Sequence, residues 1–482
     1  LENRPSVLQE APDNATERLT SPMPDPTVLI TLRYDAGTVL IGGATDGIAA
    51  ALPGVAFDQR VRQFRAEGRH YRGIVERLRA DKIEYADEAR AWQSVEWKLK
   101  AERQPFPHQS EAVAAWQQAG NRGVVVLPTG TGKTYVAVLA IAKTGRPALV
   151  VTPTIDLLNQ WYEELLHSFG PPVGLFGGGH HDLQPLTVTT YDSAYIYVEK
   201  WANRFGLVIF DECHHLPGPN VQAAARGALA PFRMGLTATP ERADNADVLF
   251  PELIGPTVYR REIKQLTGDY LAEYMVERIY VDLSPEDHQR YLQCREHYRS
   301  FLASCGFSLG SSNGLKRFII ESTRSREGAT AWRAFQEQRK LALAAPSKLH
   351  TLGELLDKHC NDRTLIFTAD NATVYKIARQ FLVPAITHQT KAKERKAILD
   401  RFRGGEYTVL TTSQVLNEGV DVPAAGVGII LSGSSTVREH VQRLGRLLRK
   451  YEEKRAILYE VVSRGTTEEF ASERRRQHHA YR

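Results

Sequence analysis

Apolar positions along this 482-residue chain follow three rhythms, each with its own structural meaning. In the first, Val28, Ile30 and Leu32 alternate with Leu29 and Thr31, Asp35-Ala36-Gly37 breaks the run, and residues 38–41 resume it. That pattern predicts a β-hairpin. Tyr71, Ile74, Val75 and Leu78 then recur at i, i+3, i+4 and i+7, one face of a helix. A small α+β domain over 27–104 follows from these signals. Ahead of it, residues 1–26 are rich in Pro, Asp, Asn and Glu with no apolar period, which predicts a disordered lead-in. Arg60, Arg62, Arg65, Arg69 and Arg72 offer this domain either phosphate contacts or a solvated face.

The second rhythm spans 105–266, where continuous apolar runs alternate with helical segments. Residues 124–127, 148–152, 186–190, 207–210 and 234–236 read as buried strands, and 155–169 as a helix between two of them. Repeated β-α units imply a parallel sheet covered on both faces. Over 267–346 the alternation stops. Ser284, with Pro285 and Asp287 behind it, is a helix start; Tyr291, Cys294, Tyr298 and Phe301 carry one face, and a second helical stretch runs over 329–344 until Pro346. A helical insertion is predicted, with Lys316, Arg317, Arg324 and Arg326 near its turn. Over 347–464 the β-α rhythm returns, with strands at 364–368, 407–412, 427–431 and 456–462 and helices at 372–381, 393–403 and 436–449. Residues 465–482 form a basic tail. The fold class is thus α/β: two parallel-sheet lobes, a small N-terminal domain and a helical insertion.

Composition narrows the function classes. The formal charge is +5, and residues 437–482 hold 12 Lys/Arg against 7 Asp/Glu, the whole of the excess. No run approaches the ~18 apolar residues a membrane span needs, and no basic-then-apolar leader opens the chain, so a cytosolic, nucleoid-associated protein is expected. The start at Leu1 is that of a processed or cut end. Cys213, Cys294, Cys305 and Cys360 form no CxxC pair, which argues against a zinc ribbon or iron–sulfur cluster. Three adjacent histidine pairs, beginning at His180, His214 and His478, point their rings different ways and do not suggest a metal site.

The chemistry concentrates at residues 127–134, LPTGTGKT, between a predicted strand and helix. A loop of this kind turns backbone N–H groups and a helix N-terminus toward a phosphate. Thr129, Gly130, Thr131 and Gly132 would form the cradle, Lys133 would reach the outer phosphates, and Thr134 would place its hydroxyl on Mg²⁺. Asp211, ending a strand, would hold the same ion through a water, and Glu212 would polarise the attacking water. His214 would sense the γ-phosphate and report to Thr237 and Thr239. The segment VREHVQRLGRLLRK puts Gln442, Arg443, Arg446 and Arg449 on one helix face, with Arg446 and Arg449 as γ-phosphate fingers across the cleft. Gln109 would read the adenine edge, and Gly419 and Asp421, with Glu418, would set a tight loop by the ribose or the DNA strand. The cofactors expected are ATP and Mg²⁺.

Taken in order, PTGTGKT, DECHH, GLTATPER, SQVLNEGVDVP and QRLGRLLRK resemble motifs I, II, III, V and VI of superfamily 2 helicases. The wording TYDSAYIYVEK, FDECHHLPG, GLTATPERAD and LSGSSTVREHVQRLGRLLR is similar to the XPB family, above all its short archaeal and bacterial members. The resemblance implies a 3′ to 5′ DNA helicase or translocase with RecA-like lobes, a damage-recognition-like N-terminal domain and a thumb-like insertion, acting in repair. It implies single-stranded, forked or damaged duplex DNA as partner and leaves room for a nuclease or repair protein. In the family an Arg-Glu-Asp triplet after motif III is tied to unwinding; here Arg242, Ala243 and Asp244 stand there. Phosphates of the strand would be met at Thr152, Thr154, Thr190, Thr368 and Thr412, with steep salt dependence and no sequence preference. A DNA-bound ATPase switch that separates few strands is the alternative, and an RNA helicase shares the same catalytic motifs.

Overall fold

The computed structural model describes residues 29–100, 103–242, 244–266, 270, 273–310, 313–413, 425–432 and 456–476. The N-terminal unit comprises β1 (Ile30–Asp35), β2 (Thr38–Gly42), α1 (Asp46–Ala51), β3 (Ala56–Asp58), β4 (Gln63–Glu67), α2 (Tyr71–Ala80) and β5 (Tyr85–Glu88). Its sheet order is β3-β4-β2-β1-β5, antiparallel except for the β1/β5 pair. Ala36 and Gly37 both take positive φ, the two-residue hairpin turn whose twist suits right-handed strands. Tyr71, Ile74, Val75 and Leu78 of α2 are buried against Ile30, Leu32, Val39 and Ile41, as the helical spacing predicts.

Four of the five arginines singled out in this unit are engaged within the protein, while Arg62 is exposed. Arg60 pairs with Asp58, and Arg65 with Asp35 and Asp58. Arg69 reaches Glu252 at 2.6 Å, and Arg72 donates to the carbonyls of Gly120 and Pro231, so both join the unit to its neighbour. Gly68 lies so close to Gly227 that an added Cβ would sit 2.2 Å from the Gly227 carbonyl oxygen.

The first lobe runs α3 (Pro107–Gln118), β6 (Arg122–Val126), α4 (Lys133–Thr144), β7 (Ala148–Thr152), α5 (Ile155–Phe169), β8 (Gly174–Gly177), β9 (His180–His181), β10 (Leu186–Thr190), α6 (Tyr191–Ile196), α7 (Val198–Trp201), β11 (Leu207–Asp211), α8 (Gln222–Gly227), β12 (Phe232–Thr237), α9 (Phe250–Leu253), β13 (Thr257–Arg260) and α10 (Ile263–Leu266). Sheet order is β13-β6-β12-β11-β7-β10-β8-β9, parallel but for the β8/β9 hairpin. Both faces are covered by buried side chains, which is why its central strands are continuous apolar runs. Arg233 is buried within it, its guanidinium donating to the carbonyls of Ala225, Ala228, Ala230 and Leu253.

The next strand corrects the reading of 267–346 as purely helical. β14 (Tyr274–Val281) pairs over its whole length with β19 (Ala456–Ser463) at the edge of the second sheet. Then come α11 (Pro285–Ser304), α12 (Gly314–Arg324) and α13 (Arg326–Leu343), three helices where two were expected. Ser284 caps α11 by accepting from the Asp287 N–H, and Tyr298, Leu302, Phe318 and Ala331 form a small separate core. Pro346 does not merely stop a helix; it opens α14 (Pro346–Lys358) at a first-turn position where a missing N–H costs nothing.

The second lobe continues with β15 (Thr364–Phe367), α15 (Asn371–Phe381), β16 (Ala385–Ile386), α16 (Ala392–Gly404), β17 (Val409–Thr412), β18 (Val427–Ile430), β19 and α17 (Thr467–Arg476). Its parallel sheet has the order β14-β19-β18-β15-β17-β16. Arg395 of α16 pairs with Asp156 in the first turn of α5, a contact between the lobes.

Candidate active site

Three loops at the carboxyl ends of neighbouring strands make the site, the position where open α/β sheets hold ligands. β6, β12 and β11 are adjacent, so the residues after Val126, Thr237 and Asp211 are brought together by register alone. Gly130 and Gly132 take φ of +89° and +81°, a left-handed backbone that suits glycine, and α4 starts directly at Lys133. Lys133 Nζ donates to the Leu127 carbonyl at 3.3 Å and lies 3.7 Å from Glu212 Oε1. Thr134 is in the first turn of α4.

Asp211 is buried, and both its oxygens accept from the protein: Oδ2 from Trp161 Nε1 at 2.8 Å, Oδ1 from the Glu212 N–H at 3.0 Å. Burial, then the neighbouring Glu212 charge, pushes its carboxyl above the usual range, against the pull of Trp161 and Lys133. Glu212 itself has φ +44° and ψ +53°. A left-handed glutamate is a strained backbone, of the kind that clusters at functional positions.

From Glu212 a polar chain runs into the lobe. His214 Nδ1 lies 3.4 Å from Glu212 Oε2 and 3.1 Å from Thr237 Oγ1. The Thr237 hydroxyl donates to the Thr239 carbonyl at 3.2 Å and accepts from the Thr239 N–H at 3.2 Å. The single Thr237 hydroxyl hydrogen can go to the Thr239 carbonyl or to His214 Nδ1, and in the first arrangement Nδ1 carries the proton of the His214 contact. Arg242 extends the chain, donating to the His214 carbonyl while gripping Asp244 through two bonds of 2.8 and 2.7 Å. That grip holds the Asp244 carboxyl far below its ordinary value. Ala243 lies outside the described residues.

Whether these residues suit a metal-bound triphosphate is tested by what the protein leaves unsatisfied. Thr129 Oγ1, Thr239 Oγ1 and Glu212 Oε2 are buried with no hydrogen-bond partner. Such groups cost about 1–3 kcal/mol each unless a ligand or water meets them. Three of them around one lysine and a glycine-turned loop fit the group.

Two expectations change. Gln109 does not present its amide to a base: Oε1 accepts from the Phe106 N–H at 3.0 Å, and Nε2 donates to the carbonyls of Thr131 at 3.0 Å and Gly132 at 3.4 Å. It clamps the phosphate loop to α3. Beside it, His108, which the sequence reading passed over, bonds the Thr131 carbonyl through Nε2 and packs against Phe106 and Tyr270.

The strand-end threonines are the second change. Thr152 donates to the Thr189 carbonyl, Thr368 to that of Asp370 and Thr412 to that of Ser413, all three side chains being buried. Thr154 and Thr190 cap α5 and α6, accepting from Leu157 and Ser193 N–H. Their hydroxyls serve their own loops. Gly419, Asp421, Gln442, Arg446 and Arg449, with Glu418, lie outside the described residues.

Comparison with known proteins gives this geometry its context. Residues 32–89 match the xeroderma pigmentosum group B helicase damage recognition domain, 102–242 the type III restriction enzyme res subunit, and 347–451 the helicase conserved C-terminal domain. The chain is 38% identical to the DNA 3′-5′ translocase XPB2 of Sulfurisphaera tokodaii over 93% of its own length and 100% of that protein's. It is 30% identical to the DNA 3′-5′ helicase XPB of Mycobacterium tuberculosis, over 74% of this chain and 61% of that one. The Pyrococcus furiosus Hef helicase domain superposes with a TM-score of 0.51 at 20% identity, covering 76% of this chain and 97% of that one, a likeness of fold. The chain belongs to the XPB family of superfamily 2 helicases.

Proposed function

We propose that this protein is an ATP-dependent 3′ to 5′ DNA translocase or helicase that couples hydrolysis in the crevice of its first lobe to movement on DNA. The observation that carries the reading is the meeting of Lys133, Glu212 and His214 within 3.7 Å contacts, with Thr237 next in line. Lys133 and the N–H groups of residues 129–134 would hold the triphosphate. Thr134, and Asp211 through a water, would hold Mg²⁺, which when bound supplies positive charge against the phosphate oxygens. Glu212 would orient and deprotonate the attacking water, and Arg446 and Arg449, with Gln442, would close the site from the second lobe. His214, Thr237, Thr239 and Arg242 would pass the state of Glu212 toward the lobe's surface, since His214 lies 3.4 Å from the Glu212 carboxylate and hydrogen bonds link it onward to Thr237 and Thr239 and, through its carbonyl, to Arg242.

Turnover measured with and without single- and double-stranded DNA tests this. DNA should stimulate the wild type, and Lys133→Ala and Glu212→Gln should each lose nearly all turnover, as expected when a transition-state contact is removed. Retained turnover in Lys133→Ala would mean that the phosphate loop is misassigned. A second reading is favoured by Ala243 in the Arg-Glu-Asp position: a DNA-stimulated ATPase switch that remodels a bound complex and opens little duplex. Strand displacement run beside ATPase separates the two, because the switch gives stimulation without displacement.

A further inference from the structure

At the outer edge of the first lobe, away from the crevice, a cavity of about 590 Å³ is lined by Phe176, His181, Leu183, Tyr197, Lys200 and Arg204. That volume is within the range of small-molecule sites, roughly 300–1,000 Å³. Its three rings meet edge to face, with centroids 5.3 Å (Phe176–His181), 5.4 Å (Phe176–Tyr197) and 5.9 Å (His181–Tyr197) apart. Lys200 Nζ sits 4.9 Å from the Tyr197 ring centre. Lys200 and Arg204 are exposed, and among the described residues neither makes an ion pair. Of the carboxylates close in sequence, Glu199 beside Lys200 is exposed, and Asp182 beside His181 accepts from Gln184 Nε2 at 2.8 Å.

We propose that this cavity takes an unstacked nucleobase of a DNA single strand, its ring against His181 and Tyr197 and its phosphate on Lys200 and Arg204. A purely apolar ligand would have no use for the two cations, and a bare anion none for three rings. A base with its phosphate uses both, and stacking on aromatics is tolerant of sequence because every base has a π-face. The position agrees. The end of β8 and the loop after it lie against the starts of α5 and α6: a Cβ on Gly178 would lie 3.6 Å from Ile155, and one on Gly177, the last residue of β8, 3.4 Å from Thr190. On its other side the α6–α7 junction meets the N-terminal unit, where the Tyr34 hydroxyl donates to the Val198 carbonyl at 3.2 Å. The cavity therefore lies between a rim of strand ends and the unit matching the damage recognition domain. The inference rests on the DNA-binding reading above.

The test is equilibrium binding of the full chain to a single-stranded oligothymidylate and to an abasic strand of equal length. The wild type should favour the strand with bases. Tyr197→Ala should lose roughly tenfold for oligothymidylate and nothing for the abasic strand. Because Tyr197 also packs against the lobe, the exposed His181→Ala is a second variant with the same expected pattern. Lys200→Ala should weaken both strands and lower the salt slope by about 0.7. All three variants binding as wild type overturns the cavity alone; a wild type that binds neither strand overturns the DNA-binding reading with it.

Discussion

Lys348→Met tests how the second lobe is held together. The Lys348 side chain is buried, and its Nζ donates to Glu468 Oε2 at 2.5 Å and to the Leu431 carbonyl at 2.7 Å. Glu468, also buried, accepts from the Ser463 N–H at 3.1 Å. One ammonium thus ties α14, the end of β18 and α17. Methionine keeps most of the stem volume but removes the charge and its donors, so the cost is electrostatic rather than a cavity. Removing one partner of a buried pair costs about 3–5 kcal/mol, because the other charge loses its compensation. Against a typical domain stability of about 5–15 kcal/mol this is a large fraction. At about 4 °C per kcal/mol for a lobe of this size, the second-lobe transition should fall by roughly 15 °C in calorimetry. The double variant Lys348→Met with Glu468→Leu should recover much of the loss, since a well-packed apolar pair often replaces a buried ion pair at little cost. A single variant within about 1 kcal/mol of wild type would show that the pair does not hold the lobe.

Thr237→Val removes the hydroxyl that bonds His214 Nδ1 and accepts from the Thr239 N–H; nucleotide affinity should stay near wild type while DNA stimulation of ATPase falls about tenfold or more, read by steady-state kinetics. At the junction of the N-terminal unit and first lobe, burial works to raise the Glu67 carboxyl, but Arg69 and then Arg226 outweigh it and hold it below its ordinary 4.5. A depressed carboxylate contributes stability above the unfolded value that is lost as pH falls through the folded value, so the melting difference between wild type and Glu67→Gln should shrink below pH 4.5 and vanish in stronger acid.

Sequence alone reached the lobes because their strands are continuous apolar runs: the bounds read for 148–152, 155–169 and 186–190 are those of β7, α5 and β10. It missed β14 because nothing in residues 274–281 records a partner some 180 residues on; parallel edge pairing is a long-range fact. It missed α12 by dwelling on Lys316 and Arg317 while Leu315, Phe318 and Ile319 kept helical spacing beside them. The site's lysine, glutamate, histidine and threonine were legible as a set because each stands just past an apolar run. What was not legible was how polar groups are already committed. Gln109 is the third helical residue behind Phe106, a position from which glutamine commonly reaches back to the N–H before its helix, and that local rule was the available signal.

The same rule decides what the threonine at the start of α5 can do. Thr154 has extended backbone and its Oγ1 accepts from the Leu157 N–H at 3.3 Å, the geometry of an N-cap. A hydroxyl whose lone pair serves the helix retains a proton to donate, but its direction is fixed by the cap rather than by a passing strand. Any phosphate contact at this corner would then fall to first-turn backbone N–H groups, which a change of side chain leaves in place. Thr154→Ala should accordingly cost about 1 kcal/mol of stability and leave affinity for single-stranded DNA within about twofold of wild type. A tenfold loss of affinity, about 1.4 kcal/mol, in a variant that melts like wild type would return the hydroxyl to the DNA and remove the cap from the account.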